Sequence, residues 1–503
     1  MKKIAGIAIA IFFGAIFTNV GGQPKEPARS NVLFIFVDDL RPELGCYGSS
    51  YIHSPNLDKL ASQAVVFKKQ FVTVPTCGAS RASLLTGMLP RMVGELSNEA
   101  LESKKAAGNE KAIPESFVQG LRQNGYYTVG IGKISHSPDG YLYKYLQPKG
   151  KDLELPASWD EMLFDPGKWG TGWNAFFGYA NGTNRNELKG AVPPYEGMAA
   201  DDESYPDGLT AKLAEKKLQE LSGKKQPFFL GVGFFKPHLP FNAPKKYWDL
   251  YDESKITLTP SPGIPQHVNP ASFHQSAEFN DYKLGDEKAS LSAPVSDDYA
   301  RKLRHAYYAS VSYVDAQVGK VLAELKRLNM DKNTIVIVWG DHGWHLGDDR
   351  VWGKHTLSEW ALRSPLMIKM PGSPQGASCD KIVSSIDVYP TLMELCGVKT
   401  PFATDGKSLV PLLKDPKHAG WSNVAYSYFR RGISVRTDDY RFTRYFRKQE
   451  PVNELYDHRS DPFENNNISG ADPIIETIMP FWKKGNTGLY DKPQNIQQKS
   501  SEE

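Results

Sequence analysis

Cysteine is scarce: the 503 residues include four, at positions 46, 77, 379 and 396. Four thiols cannot staple a chain of this length, so the fold must rest on a hydrophobic core and not on a disulfide framework. An excess of charge of one sign is also missing. Lysine and arginine number 60 against 57 aspartates and glutamates, for a net charge of +3. That balance offers no basic field for a dedicated nucleic-acid protein, and no nucleic-acid partner is expected. Long apolar runs are lacking too. The stretch "IAGIAIAIFFGAIF" (4–17) has 14 residues, short of the roughly 20 a membrane-spanning helix needs. No internal repeat is present, which excludes solenoids and propellers.

What is there begins at the N-terminus. Lys2-Lys3 precede the apolar run, and "TNVGGQPKEPARS" follows it. A basic start, a short apolar core, small residues and a polar exit are the layout of a cleavable signal peptide, read over residues 1–22. It predicts export, to the periplasm or outside the cell, with the mature chain starting near Gln23. No cysteine follows the run before Cys46, so there is no lipobox-type acceptor and no stable membrane insertion is expected. In an oxidising compartment Cys379 and Cys396, close in sequence, are the candidate disulfide pair. Aromatic content is 12%; most of these rings read as large core residues, with pocket lining and sugar stacking open to a few.

Along the chain, apolar strand-like runs end in ionisable residues. "NVLFIFVDDL" (31–40), "GYYTVGIGK" (125–133), "PFFLGVGFFKPHLP" (227–240) and "NTIVIVWGDHGWHLGD" (333–348) are four of them. Helical patterns lie between: "SPNLDKLASQAVVF" (54–67) after a Ser-Pro start, and most clearly residues 297–328. The alternation predicts an α/β fold with a large, mostly parallel sheet sandwiched by helices. Residues 136–225 and 250–296, rich in Gly, Pro, Asp and Asn, read as long loops over the sheet. After residue 397 the texture becomes that of antiparallel strands and turns. The expected division is therefore a catalytic domain over 28–396, a smaller C-terminal α+β subdomain with an antiparallel sheet over 397–490, and a polar tail over 491–503.

In a parallel sheet the C-terminal strand ends share one edge, where sites form. Here that edge would gather Asp38-Asp39, Lys133, Lys236/His238 and Asp341-His342. One such end is commonly a solvated loop, but four together point to chemistry. Asp38, Asp39 and Asp341 would make a strongly negative cluster, which needs a cation. Ca²⁺ or Mg²⁺ suit the oxygens, whereas the nitrogen of His342 also admits Mn²⁺ or Zn²⁺. In "VPTCGASRASLLTGMLP" (74–90), Cys77 stands at the start of a predicted helix, whose free N–H groups favour a thiolate or an anion. Arg81 lies one turn on. With Lys133, Lys236, Lys354 and His238 it would complete a pocket for a tetrahedral oxyanion.

At these residues the chain resembles a known family. "CGASRASLLTG" is similar to the signature of type I sulfatases, of the alkaline phosphatase-like superfamily, in which the cysteine is oxidised to formylglycine. "VDDLRPELGCYG", "GYYTVGIGKISH", "KPHLPFNAPKKYWDLY", "DHGWHLGDDRVWGKHTLSEWALRSPLMI" and "ELYDHRSDPFENNN" resemble further family blocks in order, so the likeness spans roughly residues 31–467. Within that family the likeness points to the iduronate-2-sulfatase branch.

The resemblance implies a set of roles. Asp38, Asp39, Asp341, His342 and the modified Cys77 would hold the metal, Ca²⁺ in preference to Mg²⁺. Arg81 would steady the formylglycine hydrate, and Lys133 and Lys354 would bind sulfate. His136 would take a proton as the hydrate collapses, His238 would protonate the leaving alcohol, and Lys236 would assist substrate binding. A formylglycine-generating or radical sulfatase-maturating enzyme is the implied partner. Two positions depart from the common pattern. Gly78 and Ala79 fit only its relaxed form, and His342 stands where many sulfatases have Asn.

The expected activity is hydrolysis of sulfate esters on a uronate-containing glycan, a glycosaminoglycan or an algal ulvan. A phosphate or phosphonate ester hydrolase of the same superfamily and a catalytically silent glycan-binding relative are the alternatives. His345 and His355 read as ordinary loop residues, and the other histidines, His274 among them, carry no assignment. The sequons at Asn181 and Asn467 read as chance matches.

Overall fold

The apolar run Asn31–Val37 (β1) forms the middle of an eight-stranded sheet in the computed structural model, which describes residues 29–106, 116–372, 375–400, 402–470 and 472–490. The expected signal peptide and polar tail lie outside the described residues. The other strands are Val65–Phe71 (β2), Tyr127–Gly132 (β3), Glu161–Leu163 (β4), Phe228–Phe234 (β5), Thr334–Gly340 (β6), Leu366–Lys369 (β7) and Ala377–Ser384 (β8). Their order across the sheet is β8-β2-β7-β6-β1-β5-β3-β4. β1 pairs in parallel with β5 and β6, β3 with β5 and β4, and β8 with β2. β7 runs antiparallel to β2 and β6. The expected large, mostly parallel sheet is therefore present.

β1, β5 and β6 read as unbroken apolar runs because both faces of the sheet are covered. Val32, Phe34 and Phe36 point to one side, where they join Ala79, Leu84 and Leu85 of the helix Cys77–Thr86 (α1). Leu33, Ile35 and Val37 point to the other. There they meet Leu218 and Leu221 of Pro206–Ser222 (α2) and Tyr307, Val311 and Val314 of Asp297–Arg327 (α3). Each such fully buried side chain contributes roughly 1.5–3 kcal/mol, enough to hold a rigid edge that carries buried charges.

Three expectations need correction. The helix read over 54–67 is Pro55–Ala61, and Val65-Val66-Phe67 open β2; β-branched and aromatic residues fit the pleat better than a helix turn. The long loop read over 136–225 contains α2, hidden at sequence level by its Pro-Asp-Gly start. Cys379 and Cys396 are not bonded: all four cysteines are free. Cys379 lies on β8 with its thiol toward the carbonyl of Pro416 (3.4 Å), while Cys396 caps the helix Val388–Leu395 (α4).

The C-terminal residues form a four-stranded antiparallel sheet: Ala425–Phe429, Gly432–Arg436, Tyr440–Tyr445 and Asn453–Asp457. Its Ile433, Phe442 and Leu455 share one continuous core with Phe67 and Leu366 of the large sheet. The helix Asp472–Gly485 crosses it, with the Trp482 indole N–H donating to the Ile433 carbonyl (3.0 Å). Asn467 is buried and holds Leu455 N–H (2.9 Å), which fits its reading as a chance sequon. No described helix is long and apolar enough to cross a membrane.

Candidate active site

β6, β1, β5 and β3 are consecutive neighbours and parallel, so their C-terminal ends form one edge. Asp341-His342, Asp38-Asp39, Lys236/His238 and Lys133 follow those four strands. Asp38, Asp39 and Asp341 are each inaccessible to solvent, and one oxygen from each lies within 4.8 Å of the others. Asp39 adopts a left-handed backbone (φ 56°), and its N–H donates to Asp341 Oδ1 (2.9 Å). That conformation costs on the order of 1–3 kcal/mol in a non-glycine residue, a strain typical of functional sites.

Positive charge surrounds the carboxylates. Lys133 Nζ meets Asp38 Oδ2 at 2.5 Å, and Lys354 Nζ meets both oxygens of Asp39 at 3.0 and 3.2 Å. Arg81 lies beneath. Its Nε donates to Asp341 Oδ2 (2.9 Å) and its Nη2 to Asp38 Oδ1 (3.2 Å). Its Nη1 reaches the Lys133 and Ile134 carbonyls. The whole fork is committed to the frame, so Arg81 orders the acids from below and does not line the cavity described below. Burial would raise the Asp38 carboxyl, but Lys133 and Arg81 outweigh it and hold it well below the usual range. At Asp39 and Asp341 burial prevails, and both are raised.

Cys77 is the first residue of α1 and 4% exposed. Burial pushes its thiol up to about 12 against the pull of Lys133 and Lys354. The thiolate expected at a helix N-terminus is thus overruled by desolvation. Its Sγ lies 3.3 Å from His342 Nε2. His342 Nδ1 donates to the Gly343 carbonyl (2.9 Å), and its Nε2 faces Asp39 Oδ1 at 3.3 Å. Three carboxylates and this nitrogen fit a divalent metal, and the oxygen majority suits Ca²⁺ or Mg²⁺.

The remaining residues border a cavity of about 630 Å³ that opens on Cys77, Lys133 and Lys354. His136 lines it, with its ring 5.4 Å from Trp173 and a buried Nδ1 that has no hydrogen-bond partner. Burial and Lys133 keep its pKa well below the ordinary value, so the ring is neutral. His238 also lines it. Its Nδ1 donates to the Leu239 carbonyl (2.6 Å) and its Nε2 faces Glu278 Oε1 (2.9 Å). Burial and Lys354 pull its pKa down to about 4, while the paired Glu278 pulls the other way. The pair holds one proton between His238 Nε2 and Glu278 Oε1.

Lys236 is placed away from the expected substrate contact. Its Nζ donates to the His238 and Pro240 carbonyls (2.8 and 2.6 Å), so it braces its own loop. Burial lowers its pKa to about 8. Asp207 of α2 anchors the same loop by accepting the Phe235 and Lys236 N–H groups, both at 2.8 Å.

Sequence reasoning missed Asp207 and Glu278. Glu278, which pairs with both His238 and Lys354 (3.3 Å), lies in a Gly- and Asn-rich segment with no spacing signal. His274 was passed over too. Its Nδ1 accepts from Ser276 N–H, so its Nε2–H donates to the Lys354 carbonyl (2.7 Å) and fixes that lysine's backbone. His345 is buried on the short strand His345–Leu346, paired with Trp352–Gly353, and is bonded to Thr356 (2.8 Å). His355 lines the cavity and stacks on Phe429 of the C-terminal sheet (5.5 Å).

Gly78 follows Cys77 for a steric reason. A Cβ there would stand 2.2 Å from the Asn98 carbonyl oxygen, while its N–H donates to Asn98 Oδ1 (3.1 Å). Gly78→Ala is expected to destabilise the protein by about 1–3 kcal/mol through overpacking against backbone. Urea unfolding midpoints check this, and an unchanged midpoint would refute it.

Comparison with known proteins agrees with this geometry. The family model described as Sulfatase matches residues 30–398, and one described as N-sulphoglucosamine sulphohydrolase, C-terminal, matches residues 340–486. Human iduronate 2-sulfatase is 29% identical over 90% of this chain and 93% of its own length. A sulfatase of Formosa agariphila is 32% identical over 88% of this chain and 83% of its own. The solved phosphonate monoester hydrolase of Agrobacterium radiobacter superposes with a TM-score of 0.71 at 23% identity, covering 91% of this chain and 94% of that one. At that identity the likeness concerns the fold.

Proposed function

The chain belongs to the sulfatase family of sulfate ester hydrolases, and from that premise we propose that it cleaves a sulfate ester from an acidic, uronate-containing glycan after export from the cell. The observation that carries this reading is the single buried assembly of Cys77, three carboxylates and His342 under a cavity lined by Lys133, Lys354, His136 and His238. The similarity to iduronate 2-sulfatase supports the uronate.

Cys77 is proposed to be converted to formylglycine by a formylglycine-generating or radical sulfatase-maturating enzyme. In that form position 77 supplies a hydrated aldehyde, one hydroxyl to take the sulfuryl group and the other to expel it. Asp38, Asp39, Asp341 and His342 would hold a divalent cation, Ca²⁺ for preference, which supplies charge that polarises the sulfuryl oxygens. Lys133 and Lys354 face the cavity and attract the sulfate. His136, neutral and with an unpartnered Nδ1, is placed to accept a proton. His238 carries the proton for the departing sugar oxygen, and Glu278 orients it. Arg81 and Lys236 act at one remove, through the acids and the His238 loop. The ring wall of Tyr145, Trp173, Phe176 and Phe177 excludes water and offers a stacking face for a sugar.

Two measurements test this. The ratio of kcat/KM for sulfate against phosphate and phosphonate monoesters should favour sulfate, and a preference for either phosphorus ester would sink the proposal. His238→Ala should lower kcat for a sugar sulfate by about 10²–10⁴-fold. The loss should be far smaller for an aryl sulfate, whose leaving group needs no proton. Equal losses on both esters would remove His238 from the acid role.

A further inference from the structure

Arg185 lines the same cavity but takes no part in the assembly above. Its backbone is pinned on both sides. The N–H donates to the Phe177 carbonyl (3.2 Å), the carbonyl accepts from Gly190 N–H (2.9 Å), and the turn between closes through the Gly178–Asn184 bridge. The guanidinium carbon lies 3.8 Å from the Phe177 ring centroid and 5.3 Å from that of Tyr282. Aromatic rings therefore bound the group while its N–H edge stays open. That edge makes no hydrogen bond or ion pair with any described residue. Glu278 is already engaged by His238 and Lys354, and Asp281, on the same wall, makes no ion pair with it.

A guanidinium with no protein acceptor, ordered by stacking and facing a cavity, is preorganised for a bidentate oxyanion. It loses little side-chain freedom on binding, because the rings have already restricted it. Its location fits a substrate group. The Phe177 ring is 6.3 Å from the His238 ring and in contact with Arg185. One aromatic ring thus separates the proposed proton donor from the open fork. The sulfate under attack is answered by Lys133 and Lys354, so an anion at Arg185 is a different one.

We infer that Arg185 recognises a second anionic group of the substrate, a carboxylate or another sulfate on the sugar being cleaved or on its neighbour. The inference takes its turnover assay from the sulfatase reading, whereas the binding it describes does not depend on that reading.

The test compares wild type with Arg185→Gln on three probes: a methyl uronoside 2-sulfate, its carboxyl-reduced counterpart, and that counterpart carrying a second sulfate. In the variant, the kcat/KM ratio of a doubly anionic probe to the carboxyl-reduced one should fall about 10- to 100-fold, mainly through KM, as expected for a lost charge-assisted hydrogen bond. A fall confined to the uronoside identifies a carboxylate, and one confined to the disulfated probe identifies a sulfate. Arg185→Lys, which keeps the charge but not the fork, should retain part of the ratio, and it replaces Arg185→Gln should that variant fail to fold. Ratios unchanged in both arms, or equal losses on all three probes, would overturn the inference. Calorimetric binding of an unsulfated uronic acid disaccharide separates the two claims. Wild type that binds it more tightly than Arg185→Gln but releases no sulfate from any probe upholds the recognition and sinks the sulfatase reading. Sulfate release with equal binding by both proteins, and with the kcat/KM ratios of both doubly anionic probes unchanged in the variants, does the reverse.

Discussion

Cys77→Ala should lower turnover of a sulfate ester by on the order of 10⁴-fold or more, the scale seen when a covalent nucleophile is removed. Its melting temperature should stay within a few degrees of wild type. The two halves of this expectation have separate causes. Cys77 is 4% exposed at the start of α1, so trimming it removes one small buried group, about 1 kcal/mol. The chemistry, in contrast, should be lost, because none of the acids, lysines and His342 around position 77 can form the aldehyde hydrate proposed there. Cys77→Ser is the sharper variant. A serine hydroxyl can take the sulfuryl group but has no second hydroxyl to expel it, so a sulfated protein should accumulate after one turnover. Peptide mass spectrometry of protein from the native host gives the complementary reading. The peptide holding position 77 should be lighter than encoded by H₂S less one oxygen. An unmodified thiol in active protein would defeat the formylglycine proposal.

Removing divalent metal should have the second largest effect. Dialysis against a chelator should abolish turnover and lower the melting temperature, and Ca²⁺ should restore both. A cation present at about 100 times its Kd stabilises the folded state by about 2.7 kcal/mol. Lys133 and Lys354 already contact Asp38 and Asp39, so the acids remain partly balanced without the ion and the fold should survive its loss. Asp39→Asn should make the melting temperature insensitive to added Ca²⁺. A chelated protein with full activity and an unmoved melting temperature would exclude a metal at these acids. Restoration by Mn²⁺ or Zn²⁺ in place of Ca²⁺ would reassign the ion toward the nitrogen of His342.

Much of this site was legible in the chain. The four strands that end in Asp38-Asp39, Lys133, Lys236/His238 and Asp341-His342 are strongly apolar because both sheet faces are covered, and such runs are readable without a structure. Their adjacency followed from the rule that parallel strands present their C-terminal ends together. The parts that were not legible share a different physics. Glu278, Asp207 and Arg185 sit in or beside segments whose composition says only loop, and their importance lies in what faces them. The burial of Cys77 was not legible for a related reason. A helix start is visible in sequence, but the burial that overrides it is a property of packing.

By itself, the sequence determined the kind of chemistry. The order of apolar runs and acids specified an α/β edge, and the blocks around Cys77 specified the sulfatase family. Only the tertiary structure decided which charges border the cavity and which are turned away from it. Arg81 and Lys236 are turned into the frame, while Lys133, Lys354 and Arg185 face the cavity. Charge type is written in a residue's identity, but the direction of a long side chain depends on which acceptors the fold brings within reach.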